Sequence, residues 1–200
     1  MRVMQERRKF LYNTESKIET AAKVLHLFPV RTICFAETTD FADTLTERLN
    51  NREDSEIPIS VSYHSGLGVK KRRKAMEEFK DPNSYVRIIS TARALDEGFD
   101  IEGIELALIT SGTSTERQFT QRVGRSIRFV PDKIALIVNL YIKGTQDERW
   151  AKARQAAMPN VHWITSIEEI SYETPEGKHS FEASQLPRID LTRFTAGSLF

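Results

Sequence analysis

The densest set of groups that could bind an anion lies in residues 111–128, SGTSTERQFTQRVGRSIR. On a helix, the long polar side chains at i, i+3, i+4 and i+7 would share one face. They are Gln118, Gln121, Arg122 and Arg125, and Arg128 follows in the next turn. Guanidinium forks match phosphate oxygens and keep their charge, so this set predicts an anion site. The alternative is an exposed basic helix without a ligand, and these residues alone favour it.

The residues around those side chains predict how they are positioned. Thr113 with Glu116 three residues later is typical of a capping box, which places a helix over 114–124. Phe119 and Val123, four residues apart, are predicted to hold a neighbouring face of that helix against a core.

Short apolar runs predict the strands that carry this helix. They are 31–36 (RTICFA), 59–63, 85–90 (YVRIIS), 104–110 (IELALIT) and 134–140 (IALIVNL), and helical segments over 39–50 and 69–80 lie between the first three. Apolar strands that alternate with helices indicate a doubly wound α/β fold, with a parallel sheet and helices on both faces. Such sheets bind ligands at the carboxyl ends of their strands. In this chain, four of the five strand ends are rich in hydroxyl or glycine residues.

Further helices are predicted at both ends of that alternation. Ser16 and Thr145 are each followed by a glutamate three residues later, so each is predicted to cap a helix, and Trp150 is predicted to anchor the second one. In the helix after the second strand, Val69 and Phe79, together with Met76, are expected to face the core.

The chain divides by composition into three parts. Residues 1–14 are polar and basic and are predicted to be a linker, 15–157 form the domain, and 158–200 are a short C-terminal extension. In the extension, 161–165 (VHWIT) resemble a strand and 175–177 predict a turn.

Charge and cysteine content narrow the class of protein. Lys and Arg number 29 against 28 Asp and Glu, so overall charge does not indicate nucleic acid, although 70–80 (KKRRKAMEEFK) are locally basic. That run is most often a solvated helix face, and tracking phosphates is the second interpretation. Cys34 is the one cysteine and the four histidines are far apart, so we expect no disulfide and no metal site. Without an apolar run long enough to span a bilayer, the chain is expected to be soluble, intracellular and cytoplasmic.

Two segments resemble motifs of superfamily 2 helicases. Residues 121–128, QRVGRSIR, resemble the Q-R-x-G-R-x-x-R signature, and 90–101, STARALDEGFDI, resemble motif V. Residues 31–45 and 63–66 resemble motifs IV and IVa, so the likeness covers about 15–155 in the family's motif order. This resemblance implies the C-terminal RecA-like domain of a DNA helicase or translocase.

The resemblance also implies roles toward ATP. Arg125 and Arg128 would stabilise charge on the γ-phosphate, and Gln121 would order that phosphate or the attacking water. Gly98 would let the backbone approach the nucleotide, while Asp100 would accept hydrogen bonds from the ribose.

A second set of residues would hold the backbone of the nucleic acid. Thr38 and Thr39 lie at the start of a helix, where amides and hydroxyls can bind phosphate. His64 is a further candidate contact, and either Ser90 or Thr91 takes the phosphate-contacting role of motif V. Such contacts predict binding of DNA without sequence preference.

The chain lacks other parts of an ATP site. No segment matches the phosphate-binding loop G-x-x-x-x-G-K-[ST] or a D-E-x-D or D-E-x-H box. ATP and Mg²⁺ would therefore be bound mainly by a partner N-terminal RecA-like domain, and the chain alone is expected to be inactive. A rival hypothesis is a non-catalytic RecA-like module that binds nucleic acid or a protein. An unrelated doubly wound nucleotide-binding enzyme would need a glycine-rich loop after the first strand, and 35–39 contain no glycine.

Overall fold

The structure is a computed structural model of the 200-residue chain. It describes residues 2–52, 56–92, 101, 103–111, 136–155, 161–174 and 177–180. The predicted arginine helix and the motif V segment from residue 93 to 100 lie outside the described residues. Gln121, Arg125, Arg128, Gly98 and Asp100 are therefore known from the sequence alone.

A parallel sheet forms the centre of the described part of the chain. Its strands are β1 (Thr32–Ala36), β2 (Ser60–His64), β3 (Ile88–Ala92), β4 (Leu106–Ile109) and β5 (Leu136–Asn139). They pair in the order β2-β3-β1-β4-β5, and every pairing is parallel. The predicted doubly wound parallel sheet is thereby confirmed, and the reversal of strand order beside β1 creates the crevice in which such sheets bind ligands.

Helices and a small hairpin complete the described structure. The helices are α1 (Arg2–Tyr12), α2 (Glu15–Leu27), α3 (Thr39–Asn50), α4 (Val69–Lys80) and α5 (Gln146–Gln155). A short 3₁₀ helix (Ile167–Glu169) precedes the antiparallel strands β6 (Ser171–Thr174) and β7 (Gly177–Ser180). Among these described helices, none is long and apolar enough to cross a membrane.

Two apolar cores, one on each face of the sheet, explain why the strands read as continuous apolar runs. Successive side chains of β1 point to opposite faces. Cys34 joins the core formed with α2 and α3, around Leu45, whereas Ile33 and Phe35 join the core formed with Phe79 of α4. All residues of β1, β3 and β4 are buried, as expected for inner strands of a covered parallel sheet.

The N-terminal stretch is more ordered than its composition predicts. α1 lies within the residues assigned to a linker, and its last residue, Tyr12, is buried. The ring centroids of Tyr12 and Trp150 lie 6.2 Å apart. The guanidinium carbon of Arg8 lies over the Trp150 ring, 5.5 Å from its centroid. Trp150 thus fastens α5 to α1, a contact between residues too distant in sequence for a local pattern to reveal.

The predicted capping box at Ser16 is wrong. The one at Thr145 is confirmed for the threonine, whereas Glu148 accepts from the amide of Gly144 at 2.8 Å, one residue before the cap. The observed N-cap of α2 is Thr14, two residues before the predicted one, and its carbonyl accepts hydrogen bonds from the amides of Lys17 and Ile18 at 3.0 and 3.2 Å. Ser16 therefore lies inside the helix. At the start of α5, the Thr145 hydroxyl accepts from the amide of Asp147 at 3.1 Å.

Two other local expectations also fail. Val69 was predicted to face the core, but its side chain is 73% exposed, because it lies in the first turn of α4 before Ala75 and Phe79 pack on the sheet. Residues 161–165 form no strand. Trp163 packs instead edge-on against Tyr141, with ring centroids 5.4 Å apart.

Candidate functional site

The carboxyl ends of the parallel strands meet at one edge of the sheet, which we call the carboxyl edge. Its described part has two regions of different chemistry. One surrounds the start of α3 and the end of β2, and contains Thr38, Thr39 and His64. The other follows β4 and β5 and contains buried charged groups of α2 and α5. Ser90 and Thr91 of β3 also lie near this edge, inside the sheet.

The start of α3 presents backbone amides. Thr38 is the N-cap in an extended conformation, and its hydroxyl accepts from the amide of Phe41 at 3.2 Å and donates to Asn13. The hydroxyl of Thr38 is therefore already engaged within the fold. The amides of Thr39 and Asp40 make no hydrogen bond to any described group. Free amides at the positive end of a helix attract anions such as phosphate.

The charge beside those amides is nearly balanced. Asp40, in the first turn of α3, would repel a phosphate, but its carboxylate lies 3.6 Å from the Lys9 ammonium of α1. Both side chains are about two-thirds exposed, so the pair is weak and screened by salt. The start of α3 can therefore hold phosphate through amides, but with little net attraction from its own side chains.

His64 lies at the end of β2 and turns its ring toward α3. Its Nε2 is 2.9 Å from the Asp43 carboxylate, and its side chain is 4% exposed. Its Nδ1 has no hydrogen-bond partner in the described part of the chain. A methyl group at Gly66 would come 3.0 Å from Nδ1 and 3.9 Å from the methyl of Thr39. Gly66 thus lets the loop close over the histidine beside the start of α3.

Ser90 and Thr91 lie inside the sheet layer. They are 0% and 1% exposed, and β3 pairs them with Cys34 and Phe35 of β1. Neither hydroxyl has a hydrogen-bond partner among the described groups. The structure therefore does not bring these hydroxyls to a surface shared with Thr39. It leaves two buried hydroxyls of β3 as the first two residues of the motif V segment, 90–101.

The second region holds a buried group of opposite charges, which we call the ionic cluster: Lys17, Glu37, Asp147 and Arg154. The Lys17 ammonium lies 2.6 Å from the Asp147 carboxylate and donates to the Ser111 hydroxyl at 3.1 Å. Lys17 is 3% exposed and Asp147 is fully buried. Ser111 is the last described residue before the sequence of the predicted arginine helix, so the ionic cluster fixes the position of the chain at that point.

The remaining contacts of the ionic cluster hold α5 against the sheet. Asp147 also accepts from the amide of Ile142 at 3.0 Å, and Arg154 donates to Asn139 at 3.3 Å. Burial lowers the pKa of Lys17 from its ordinary value, and Asp147 opposes that shift. Two positive and two negative groups balance within the cluster, which is the condition under which charges are tolerated in an interior.

The described carboxyl edge does not by itself suit a triphosphate with its metal ion. Lys17 and Arg154 are buried and lie beside carboxylates, so neither ammonium nor guanidinium is directed at solvent. A group of three or more carboxylate, histidine or cysteine side chains that could hold a metal ion is absent from the ranges that the structure describes. The guanidinium groups of the arginine signature, 121–128, suit phosphate chemically, and they lie outside the described residues.

Sequence reasoning missed the ionic cluster. One signal was available, because Lys17, Ala21 and Val24 recur at i, i+4 and i+7, so a lysine occupies the apolar face of α2. A lysine on such a face needs a buried partner. The identity of that partner was not available, since Asp147 is 130 residues away.

The sheet order, the two covered faces and the amide-bearing carboxyl edge define a RecA-like α/β domain. Residues 16–130 match the family model of the helicase conserved C-terminal domain, which is more than half of the chain. The chain therefore belongs to this family of helicase domains.

The curated proteins that are similar in sequence are longer than this chain. It is 31% identical over 144 residues to the DNA 3'-5' translocase XPB2 of Sulfurisphaera tokodaii, covering 72% of this chain and 30% of that protein. It is 28% identical over 174 residues to the putative DNA 3'-5' helicase Rad25 of Haloarcula marismortui, covering 85% of this chain and 26% of that protein. The chain thus spans under a third of their length.

Solved structures agree on the fold. The C-terminal domain of the DEAD-box protein Dbp5 superposes with a TM-score of 0.58 at 20% identity, covering 76% of this chain and 83% of that one. Domain 2 of the DEAD-box helicase Mss116p, bound to an RNA duplex, gives a TM-score of 0.58 at 20% identity, over 71% and 55% of the two chains. At this identity, the likeness supports the RecA-like fold and nothing finer.

Proposed function

We propose that this chain is the second motor domain of an ATP-dependent superfamily 2 DNA helicase or translocase. The observation that carries the proposal is the match to the helicase C-terminal family over 16–130, a range that contains both the motif V segment and the arginine signature. The names of the archaeal relatives, a DNA translocase and a putative DNA helicase, favour DNA over RNA.

The proposed nucleotide contacts come from the segments that follow β3 and β4. Arg125 and Arg128 stabilise charge on the γ-phosphate, and Gln121 helps to order that phosphate or the attacking water. Gly98 admits the nucleotide to the backbone, and Asp100 accepts from the ribose hydroxyl. Hydrolysis of bound ATP supplies the free energy for movement along DNA.

A separate N-terminal RecA-like domain, in the same parent chain or another subunit, is proposed to complete this ATP site. It would supply the phosphate-binding loop and the acidic box for Mg²⁺, which have no match in this sequence. The burial of Lys17 and Arg154 beside carboxylates supports a divided site, because these two cations of the described carboxyl edge are not directed at a triphosphate.

The proposed nucleic-acid contact begins at α3. The amides of Thr39 and Asp40 and the Thr39 hydroxyl bind one phosphate. Thr38 and His64 belong to the same contact, and the structure favours supporting roles for both side chains, since one caps α3 and the other pairs with Asp43. Ser90 and Thr91 remain candidates at the end of β3, and their unpartnered hydroxyls favour a role in orienting the rest of the motif V segment.

The first test of this proposal is ATP turnover by the purified 200-residue chain. We expect no hydrolysis above background, because the groups that hold triphosphate and magnesium are not in the sequence. The control is the same preparation carrying Arg128→Ala. Turnover that follows the purified chain and disappears in the Arg128→Ala variant would contradict a divided ATP site.

The second test is DNA binding, measured by fluorescence anisotropy with single-stranded and forked oligonucleotides. We expect weak binding without sequence preference. Log affinity should fall against log salt with a slope of roughly −1 to −3, because about 0.7 ion is released per phosphate on a single strand. A strong preference for one base sequence, at matched length and salt, would show that base edges and not phosphates are being read.

A further inference from the structure

Lys17 lies where the fold would otherwise place an apolar side chain. Of the lysines whose side chains the structure describes, it alone is buried, at 3% exposure. It shares the inner face of α2 with Ala21 and Val24, which pack in the core between the helices and the sheet. Burying an ammonium costs free energy unless close partners compensate for the lost water. The partners of Lys17 therefore indicate the role of its charge.

The partner of Lys17 at the end of β4 is Ser111. The hydrogen bonds between the backbones of β4 and β1 end at Thr110, whose amide donates to the carbonyl of Phe35 at 3.0 Å. The amide and carbonyl of Ser111 make no hydrogen bond to any described backbone group. Its hydroxyl donates to the carbonyl of Thr110 at 2.7 Å and accepts from the Lys17 ammonium at 3.1 Å. Among the described residues, Lys17 is thus the one whose hydrogen bond ties residue 111 to another element.

The second partner of Lys17 fixes the position of its ammonium. The Asp147 carboxylate lies 2.6 Å away, is fully buried, and accepts from the amide of Ile142 at 3.0 Å. Asp147 lies in the first turn of α5, which follows β5, the strand beside β4 in the sheet. Buried polar contacts of this kind restrict the motion of the groups that they join. Lys17 therefore connects the chain that leaves β4 to the chain that leaves β5.

Stability alone does not account for the contact between Lys17 and Ser111. A buried ion pair is often no more stabilising than apolar side chains of similar volume, because desolvation offsets its attraction. The Ser111 hydroxyl also has a hydrogen bond to Thr110 that does not depend on the lysine. The lysine adds a defined position for residue 111, which lies two residues before Thr113, the predicted cap of the arginine helix.

We propose that Lys17 is a positioning residue for ATP hydrolysis, which acts through Ser111 to set where Arg128 meets the γ-phosphate. This inference rests on the proposed function of the arginine signature. A helix is a stiff element, so a shift of the chain at Ser111 would be transmitted along the predicted arginine helix toward Arg128. A displacement of about 1 Å can lower a rate by about 10²-fold, so one hydrogen bond far from the phosphate is enough to change turnover.

The test is Ser111→Ala, in the protein that unites this chain with an N-terminal RecA-like domain. The alanine removes the acceptor and leaves Lys17 paired with Asp147. We expect kcat to fall by about tenfold or more, whereas KM for ATP and the affinity for DNA stay within about twofold, because Arg128 acts in the transition state. The unfolding temperature of the 200-residue chain should fall by less than about 5 °C, since one hydrogen bond is lost.

A double-mutant cycle with Arg128→Ala separates positioning from a general structural effect. If Ser111 acts by placing Arg128, then Ser111→Ala should cost less than about twofold once that guanidinium is absent. Single-turnover hydrolysis, with enzyme in excess over ATP, measures the low rates of these variants. A structural role alone would lower the rate by the same factor in both backgrounds.

A second variant removes the donor instead of the acceptor. Lys17→Met/Asp147→Leu takes out both charges together, so neither is left alone in the interior. It should lower kcat by about the same factor as Ser111→Ala, and the two changes combined should cost less than about twofold more than either. Lys23→Met is the matched control, because Lys23 is an exposed lysine of the same helix, and its kcat should stay within about twofold of the wild type.

Other outcomes overturn the inference at different points. The same proportional loss with and without Arg128 would show that Ser111 supports the fold or another part of the ATP site. A raised KM at unchanged kcat would show that the contact serves ATP binding. If Arg128→Ala loses its turnover but Ser111→Ala keeps it, the proposed function stands and the positioning role fails. If Arg128→Ala keeps the wild-type turnover, or the wild-type protein has none, both fail.

Discussion

Replacement of Arg128 by alanine, in the protein that unites this chain with an N-terminal RecA-like domain, is expected to lower ATP turnover at least a hundredfold. Thermal unfolding and DNA affinity should stay close to the wild type. A guanidinium placed across a domain interface stabilises charge that develops only in the transition state. Comparable arginine fingers contribute factors of ~10³ to 10⁵, about 4 to 7 kcal/mol.

The type of cation at position 128 distinguishes this role from simple electrostatics. Arg128→Lys should restore little activity, because an ammonium keeps the charge but loses the planar fork. Arg48→Ala is the matched control, since Arg48 pairs at the surface with Glu15 on the outer side of α2 and α3. Its turnover should stay within twofold of the wild type.

Two results would show that Arg128 is not the finger. One is ATP turnover near the wild-type rate in Arg128→Ala, which would mean that the transition state does not use this guanidinium. The other is unfolding many degrees earlier than wild type, which would identify Arg128 as part of a structural ion pair. The two are separable because turnover and unfolding temperature are measured on the same preparation.

The elements were predictable from sequence wherever one local pattern determined them. The predicted bounds of α3 and α4 agree with the structure, because each helix follows a loop and has apolar side chains at helical spacing. Strand positions were right within a few residues, since runs such as TICFA are buried on both faces. Val69 shows the limit of this reasoning, because periodicity does not reveal where the sheet beneath a helix ends.

The candidate site was predictable in its location but not in its contacts. Family motifs placed Thr38 and His64 at the carboxyl edge, and the structure places them there. Sequence could not show that the Thr38 hydroxyl caps α3 or that His64 pairs with Asp43, because both contacts depend on how neighbouring elements turn. The ionic cluster was missed for a related reason, since its members meet only when α2 and α5 pack on the same edge.

Asp147→Asn in the ionic cluster is expected to lower the free energy of unfolding at pH 7 by about 3 to 5 kcal/mol, the usual cost of leaving a buried charge without its partner. The asparagine can still accept from the Ile142 amide, so the lost quantity is the charge beside Lys17. Urea denaturation of the 200-residue chain measures it. Glu77→Gln, in an exposed ion pair of α4, is the control and should cost under about 1 kcal/mol.

The pH dependence of this loss in free energy of unfolding identifies Lys17 as the buried charge that has lost its partner. Burial already holds the pKa of Lys17 below its ordinary value, and without Asp147 the opposing attraction is gone, so the folded-state pKa falls further. Between that pKa and the unfolded value near 10.5, the unfolded chain binds more protons than the folded one. Stability of Asp147→Asn, relative to wild type, should therefore rise as the pH increases from 7 toward 10.

Removing both members of the pair should recover most of the stability. In Lys17→Met/Asp147→Leu, neither a lysine nor a carboxylate is left alone in the interior, and apolar replacements of buried ion pairs are often neutral or stabilising. The free energy of unfolding of the double variant should also lack the additional pH dependence that is expected for Asp147→Asn. If Asp147→Asn costs no more than Glu77→Gln, or if its deficit is the same at pH 7 and pH 10, Lys17 is not held by Asp147 and the cluster does not fix the start of the arginine segment.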